Sequence, residues 1–301
     1  MPSNLHSQFF VQIISIKNVI RSENLESKLT GLWLKFQISP GVVPNETDFQ
    51  AGLLHSSFVS KLLCQRNLSI GEVGCALAHR NAMHNFLNSN HKFGIIFEDD
   101  TEIIADFDFD IMMQLLDSNL STVIALGWTP GFAIAKTSQD ISREEPIELV
   151  TSQTGAFAYA INRPAAKLMV SSQEKIIDFA DWPICTVNKV KFYAINPHSP
   201  WVTTNYDPEL STIGEREISI SNSAIKILVG RIRLATSLLT LMLVSKTNKL
   251  NASPKQIVQR LLIRDLLYKN GTSQVDQKST KNEVVPITLK FQKMLTILRL
   301  I

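Results

Sequence analysis

The sequence is poor in cysteine and lacks the common metal and cofactor motifs. Its 301 residues include only Cys64, Cys75 and Cys185, an odd number without a Cys-x-x-Cys spacing. This pattern argues against a disulfide framework and against a structural zinc site, and it fits a reducing compartment. No HExxH, Walker A or GxGxxG motif occurs either.

Long apolar runs are also missing. The N-terminal residues have no basic stretch that leads into a long apolar run, so we expect no signal peptide. Residues 234–245 form an uncharged run. This run is shorter than the roughly 20 residues that a membrane span needs. The sequence therefore predicts a cytoplasmic protein.

The net charge of +3 conceals two parts of opposite sign. Residues 1–220 hold 16 Lys and Arg against 24 Asp and Glu, and residues 221–301 hold 14 against 3. An acidic part is a poor ligand for a polyanion, whereas a basic part suits nucleic acid or an anionic membrane. We predict a domain over residues 1–220 and a separate basic, mainly helical region over residues 221–301.

Strand-like and helix-like segments alternate through the acidic part. Residues 9–16 predict a strand, and Ile20, Leu25 and Leu29 follow at helical spacing. Ser69 and Glu72 have the spacing of a capping box at the start of a second helix. This alternation predicts an α/β fold with a mostly parallel sheet over about residues 8–220.

Three consecutive acids, Glu98, Asp99 and Asp100, follow the buried strand predicted at residues 94–97. One interpretation is a solvated strand end, or acids that favour the start of a following helix. The other is a cation site, because open α/β sheets bind ligands at the carboxyl ends of their strands. On an extended backbone Glu98 and Asp100 share one side, where their oxygens suit Mg²⁺ or Mn²⁺.

Two further segments carry candidate groups. On the predicted helix after Ser69, Cys75 shares a face with His79, which is either a hydrogen-bonded structural residue or part of a site. Asp178 and Asp181 flank an aromatic segment that ends in Trp182. This segment is either a loop whose tryptophan anchors the core, or a carboxylate base beside an aromatic platform.

The basic region has its own pattern. Residues 223–246 and 253–269 predict helices, residues 270–286 a flexible linker, and residues 287–300 a basic amphipathic segment. Each Lys or Arg near an anionic leaflet contributes roughly 1 kcal/mol to binding. The helices either lie on a membrane surface or complete the fold by packing on the first domain.

In order along the chain, these pieces resemble glycosyltransferase family 25, which includes lipooligosaccharide and collagen galactosyltransferases. The resemblance spans about residues 8–216. It rests on the stretches "LSIGEVGCALAHRNAM", "GIIFEDDTEI", "STVIALG", "TGAFAYAINRPAAKLM", "DWPI" and "STIGER". The chain departs from the family at Ala78, where a serine is usual, and at Phe97, where a leucine is frequent.

The resemblance implies a GT-A-like fold, a UDP-sugar donor, commonly UDP-galactose, and inversion at the anomeric carbon. It nominates Glu98, Asp99 and Asp100 for a site that holds Mn²⁺ or Mg²⁺ and the donor's diphosphate. The alternation of faces then gives Glu98 and Asp100 to the metal, and Asp99 to a different partner such as the donor's ribose or sugar. It also implies that Arg21 contacts the nucleotide and that Asp181 is the catalytic base. The expected acceptor is a saccharide or lipid-linked glycan, met at the inner face of the membrane.

Two other functions fit parts of the sequence. A non-catalytic carbohydrate-binding or assembly protein is compatible with the same fold, although the intact acids and Asp181 count against it. A nucleic-acid binder is compatible with the basic region, but that region lacks interleaved aromatics and any known recognition motif. We therefore expect no nucleic-acid partner.

Overall fold

The computed structural model describes residues 6–16, 19–58, 60, 67–127, 132–133, 146–151, 155–177, 180, 182, 189–195 and 200–204. The predicted boundary near residue 220 and the whole basic region lie outside the described residues. Among the described residues, no helix is both long enough and apolar enough to cross a membrane.

Strands and helices alternate through most of the described residues, as predicted. A short 3₁₀ turn at His6–Gln8 precedes the first strand. The elements then follow as β1 (Phe9–Ser15), α1 (Val19–Gly31), β2 (Phe36–Pro40), α2 (Glu46–Gln50), α3 (Ile70–Asn88), β3 (Phe93–Glu98), β4 (Thr101–Ile103), α4 (Phe109–Leu116), β5 (Thr122–Ala125), β6 (Phe132–Ala133), β7 (Ile147–Thr151), β8 (Ala158–Asn162), α5 (Arg163–Ser172), β9 (Lys191–Ala194) and β10 (Val202–Thr204).

Eight of these strands form one mixed sheet in the order β2-β1-β3-β8-β5-β9-β7-β6. The pairs β1–β2, β1–β3 and β5–β9 are parallel, and the other four pairs are antiparallel. Six of the eight strands therefore run in one direction, and only β7 and β8 run against them. This confirms the predicted α/β fold with a mainly parallel sheet. A small second sheet pairs β4 with β10.

Both faces of the large sheet are covered, which explains why its central strands are mostly apolar. Every residue of β1 is buried. Phe9, Val11 and Ile13 face a core that includes residues of α1 and α4. Phe10 and Ile14 face a second core that includes residues of α3 and α5. The result is a three-layer arrangement with helices on either side of the sheet.

Local sequence signals define where the two helices of the second core begin. At α3 the side chain of Ser69 accepts from the amide of Glu72, and the Glu72 carboxylate accepts from the amide of Ser69. This confirms the predicted capping box, which gives hydrogen-bond acceptors to two backbone amides that have none within the helix. At α5 the side chain of Asn162 caps the helix, and Pro164 lies in its first turn.

Candidate functional site

The acids lie where parallel strands of the sheet end. β1 and β3 are adjacent and parallel, and their register pairs Ile14 with Glu98. The residues that follow these two, Ser15 and Asp99, are polar, and the Ser15 hydroxyl donates a hydrogen bond of 2.8 Å to Oδ2 of Asp99. Asp99 is only 9% exposed. The carboxyl edge of the sheet thus holds a buried carboxylate in a fixed orientation, and no sequence pattern pointed to Ser15 as its partner.

The chain turns directly after Glu98, because residues 99 and 100 form a turn between β3 and β4. The alternation of faces expected on an extended backbone therefore stops at Glu98. The turn is attached to the start of β8: the amide of Glu98 and the hydroxyl of Thr101 both donate to the carbonyl of Phe157, at 2.7 and 2.9 Å. Asp100 lies in this turn and is half-buried.

Glu98 belongs to a chain of three side chains that enters the core. Its Oε1 lies 3.0 Å from Nε2 of His79, and Nδ1 of His79 lies 3.1 Å from the hydroxyl of Tyr159. His79 and Tyr159 are fully buried, whereas the Glu98 side chain is 29% exposed. A neutral imidazole that donates from Nε2 to Glu98 and accepts from Tyr159 at Nδ1 satisfies both contacts.

Burial raises the pKa of Tyr159 well above its ordinary value, and the charges of Glu98 and Cys75 raise it further. The phenol therefore stays protonated at neutral pH and remains a hydrogen-bond donor for His79. His79 was interpreted either as a hydrogen-bonded structural residue or as part of a site, and the structure has features of both. The residue is a buried, hydrogen-bonded group, and its partner is one of the three candidate acids.

Cys75 adds a third ligand type beside this pair. Ligand atoms of Cys75, His79 and Glu98 all lie within 4.8 Å of one another. Cys75 and His79 are one helical turn apart on α3, so their side chains share a face. The sequence shows this spacing, but a Cys–His pair on one helix becomes informative only when the strand that brings Glu98 is known.

The segment Glu98–Asp100, which we call the acid turn, has donor atoms that suit a hard divalent cation. Glu98, Asp99 and Asp100 offer only carboxylate oxygens, which Mg²⁺ and Mn²⁺ prefer. Two of these carboxylates are oriented, Glu98 by His79 and Asp99 by Ser15. Asp100 follows Asp99 in the turn and directly precedes β4 of the small second sheet.

The structure describes the backbone of one of the two remaining predicted site residues, Arg21, but not the other, Asp181. Arg21 lies in the first turn of α1, the helix that follows β1, and nothing is described of its side chain. Asp178 and Asp181 lie outside the described residues. Their neighbour Trp182 is buried and contacts the ring of Tyr159 edge-on, with ring centroids 5.2 Å apart. The tryptophan thus anchors the core, as one of the two interpretations predicted.

Comparisons with solved structures find distant likenesses. One is the crystal structure of A197 from STIV, with 13% identity, a TM-score of 0.40, and coverage of 63% of this chain and 82% of that chain. A glycosyltransferase involved in glycosylation of the major capsid of PBCV-1 matches with 10% identity, a TM-score of 0.28, and coverage of 55% and 64%. No curated protein matches the chain.

A comparison with protein families gives a more definite result. The model of glycosyltransferase family 25, described as LPS biosynthesis protein, matches residues 8–184. That range covers more than half of the 301 residues and includes α3, the acid turn and β8. The chain therefore belongs to glycosyltransferase family 25.

Proposed function

We propose that the chain is an inverting glycosyltransferase with a GT-A-like fold. It transfers a hexose, galactose in our proposal, from a UDP-sugar to a hydroxyl of a lipooligosaccharide or another cell-surface glycan. Membership of the family supports this proposal. The observation that carries it is the acid turn, in which three carboxylates follow a buried strand at the ligand-binding edge of the sheet.

In this proposal Asp100, together with Glu98, holds a Mn²⁺ or Mg²⁺ ion. When bound, the ion neutralises the charge that builds on the leaving nucleoside diphosphate. Asp99 has a different task, because its carboxylate is held by Ser15. In this proposal it accepts hydrogen bonds from hydroxyls of the donor's ribose or sugar. Arg21 contacts the nucleotide phosphates from the start of α1.

Asp181 is the proposed base. It takes the proton of the acceptor hydroxyl as that oxygen attacks the anomeric carbon on the face opposite the leaving diphosphate. A single in-line displacement of this kind inverts the configuration. His79 and Tyr159 take no part in proton transfer to the sugar. They orient Glu98 through the hydrogen bonds described above.

A panel of UDP-sugars, each incubated with the full chain, Mn²⁺ and a glycan acceptor, tests the proposal. The expected result is release of UDP that requires the metal, is fastest with UDP-galactose, and stops when EDTA is added. A non-catalytic carbohydrate-binding protein would bind sugar but release no UDP from any member of the panel. The anomeric configuration of the product, determined by NMR, separates inversion from retention.

The basic region supports a further part of the proposal, namely that the enzyme meets a lipid-linked acceptor at a membrane surface. Residues 221–301 carry 14 basic and 3 acidic residues. The full chain should sediment with vesicles that contain anionic lipid, and high salt should release it. A chain that lacks residues 221–301 but sediments equally well would contradict this role.

A further inference from the structure

We propose that Cys75, His79 and Glu98 form a binding site for a borderline divalent ion such as Zn²⁺, beside the acid turn, with which this site shares Glu98. The three ligand atoms come from the middle of α3 and the end of β3 and lie within 4.8 Å of one another. Sulfur, imidazole nitrogen and one carboxylate oxygen form a donor set that favours Zn²⁺ or Co²⁺ over Mg²⁺ and Mn²⁺.

Two of the three ligands lie on one regular helix. α3 begins at a complete capping box, and Cys75 and His79 lie on it one turn apart. Ligand bonds to Zn²⁺ are about 2.0–2.3 Å long, so tetrahedral ligands lie about 3.5 Å from one another. The ligand atoms, now within 4.8 Å of one another, would have to approach by about an ångström to share one ion.

The second nitrogen of His79 already has the partner that a metal-bound histidine needs. Histidine ligands usually hold the nitrogen that faces away from the metal in a hydrogen bond, which fixes the tautomer. Nδ1 of His79 faces the hydroxyl of Tyr159 at 3.1 Å, inside the core. When Nε2 gives its lone pair to an ion, the ring proton resides on Nδ1 and is donated to Tyr159.

The charges of the site balance on binding. The thiol of Cys75 loses its proton, so that one thiolate and the carboxylate of Glu98 together neutralise a divalent ion. This neutrality matters because His79 is fully buried, and an uncompensated charge there would be costly. The Glu98 side chain is 29% exposed, so solvent reaches the site and can supply a fourth ligand.

Cobalt titration of the full chain tests the site without any measurement of transfer. Co²⁺ bound to a thiolate gives a near-ultraviolet charge-transfer band, which oxygen ligands do not give. We expect this band in the natural chain and in the double variant Cys64→Ser, Cys185→Ser, which retains Cys75 as its only cysteine. We expect it to disappear in Cys75→Ser.

Further variants assign the other ligands. His79→Gln and Glu98→Gln should each weaken Zn²⁺ binding at least 10-fold, and Tyr159→Phe should weaken it about 10-fold through His79. His84→Gln is the matched control, because His84 is exposed on the same helix. It should bind Zn²⁺ with unchanged affinity, and so should Asp100→Asn, whose site in the proposed transferase is the acid turn.

Calorimetry of Zn²⁺ binding in buffers of different ionisation enthalpy should show release of one proton, from Cys75. Absence of the cobalt band in the natural chain overturns the proposal, whatever the variants do. A band that survives Cys75→Ser also overturns it, because the thiolate is then another cysteine. Loss of transferase activity in Asp100→Asn with the band intact separates this inference from the proposed function.

Discussion

Ser15 and Asp99 are 84 positions apart in the sequence and are joined by a hydrogen bond of 2.8 Å at the carboxyl edge of the sheet. The bond links the ends of β1 and β3, so the strand that begins the fold orients an acid of the candidate site. Because Asp99 is buried, loss of this donor removes stabilisation of a desolvated carboxylate.

Ser15→Ala should lower the free energy of unfolding by about 1–3 kcal/mol, the usual effect of removing a partner from a buried polar group. Urea denaturation of the natural and variant chains measures the difference. Ser15→Thr is the matched control, because it keeps a hydroxyl at the same position and should lose much less. An alanine variant with the natural midpoint would show that the bond has no energetic importance.

Tyr159→Phe should change the pH dependence of stability. The pKa of Tyr159 is raised in the folded chain by burial, Glu98 and Cys75, whereas the unfolded value is near 10. The unfolded chain therefore loses this proton first as the pH rises, and the natural protein loses stability above about pH 10. The phenylalanine variant lacks this contribution to the loss.

Urea midpoints at about pH 8 and about pH 11 test this difference. The stability advantage of the natural chain over Tyr159→Phe should shrink at the higher pH. Tyr193→Phe, at a half-buried position on β9, serves as the control for general alkaline effects. An equal advantage of the natural chain at both pH values would show that the phenol ionises as readily in the folded chain as in the unfolded one.

Arg163, the first residue of α5, fixes the end of α3. Its guanidinium donates to the carbonyls of Phe86, Leu87, Ser89 and His91 at 2.6–3.4 Å and lies 5.5 Å from the centroid of the Phe86 ring. Carbonyls in the last turn of a helix lack intrahelical donors, and Leu87 lies in that turn. Ser89 and His91 lie just beyond the helix, and the carbonyl of Phe86 also accepts from the amide of Ser89. Arg80 makes the reciprocal contact: from α3 it donates to the carbonyls of Gln173 and Glu174, which follow the end of α5.

Arg163→Met should therefore lower the free energy of unfolding by about 2 kcal/mol, since several hydrogen bonds from one charged group act together. The control is Lys167→Met, which removes an exposed cation from the same helix. Thermal or urea denaturation compares the two. Equal losses would show that the charge of α5 matters and that the carbonyl contacts do not.

Trp33 lies in the left-handed region of the backbone with φ 58°, and its side chain is 77% exposed. It ends α1 in a Schellman motif, in which Leu34 donates to Leu29 and Trp33 donates to Thr30. Glycine is the residue that this position favours, because a Cβ is strained there. The sequence gives no glycine signal here, since Gly31 lies two residues too early.

Trp33→Gly should raise the free energy of unfolding by about 1 kcal/mol, by removing that strain. Trp33→Ala tests the reason: it removes the indole but retains the Cβ, so it should bring little or no gain. Chemical denaturation of both variants measures the effect. A gain in alanine as large as that in glycine would assign the effect to the exposed indole.

Much of the fold follows from local sequence patterns. The capping box at Ser69 and the cap at Asn162 are short-range features, and both helices begin where these residues predict. The reversed direction of β8 between β3 and β5 was not foreseen, because periodicity reports burial and not strand direction.

The acids of the candidate site were visible in the sequence, but their partners were not. Ser15 and Tyr159 reach Asp99 and His79 only through the order of strands in the sheet. Asn162 also has partners that its local sequence does not predict. Its capping role is local, whereas its amide also donates to three carbonyls between residues 116 and 120, about 40 positions away.

The most direct test of the account is metal-dependent turnover of a UDP-sugar by Asp100→Asn beside Asp106→Asn. Both variants remove one carboxylate, but Asp106 is exposed beyond β4 and has no assigned role. Asp100→Asn should lose at least about 100-fold in kcat with Mn²⁺, because a group that stabilises developing charge is lost. Asp106→Asn should retain the natural rate. Near-natural turnover in Asp100→Asn would contradict the proposed cation site and the mechanism built on it.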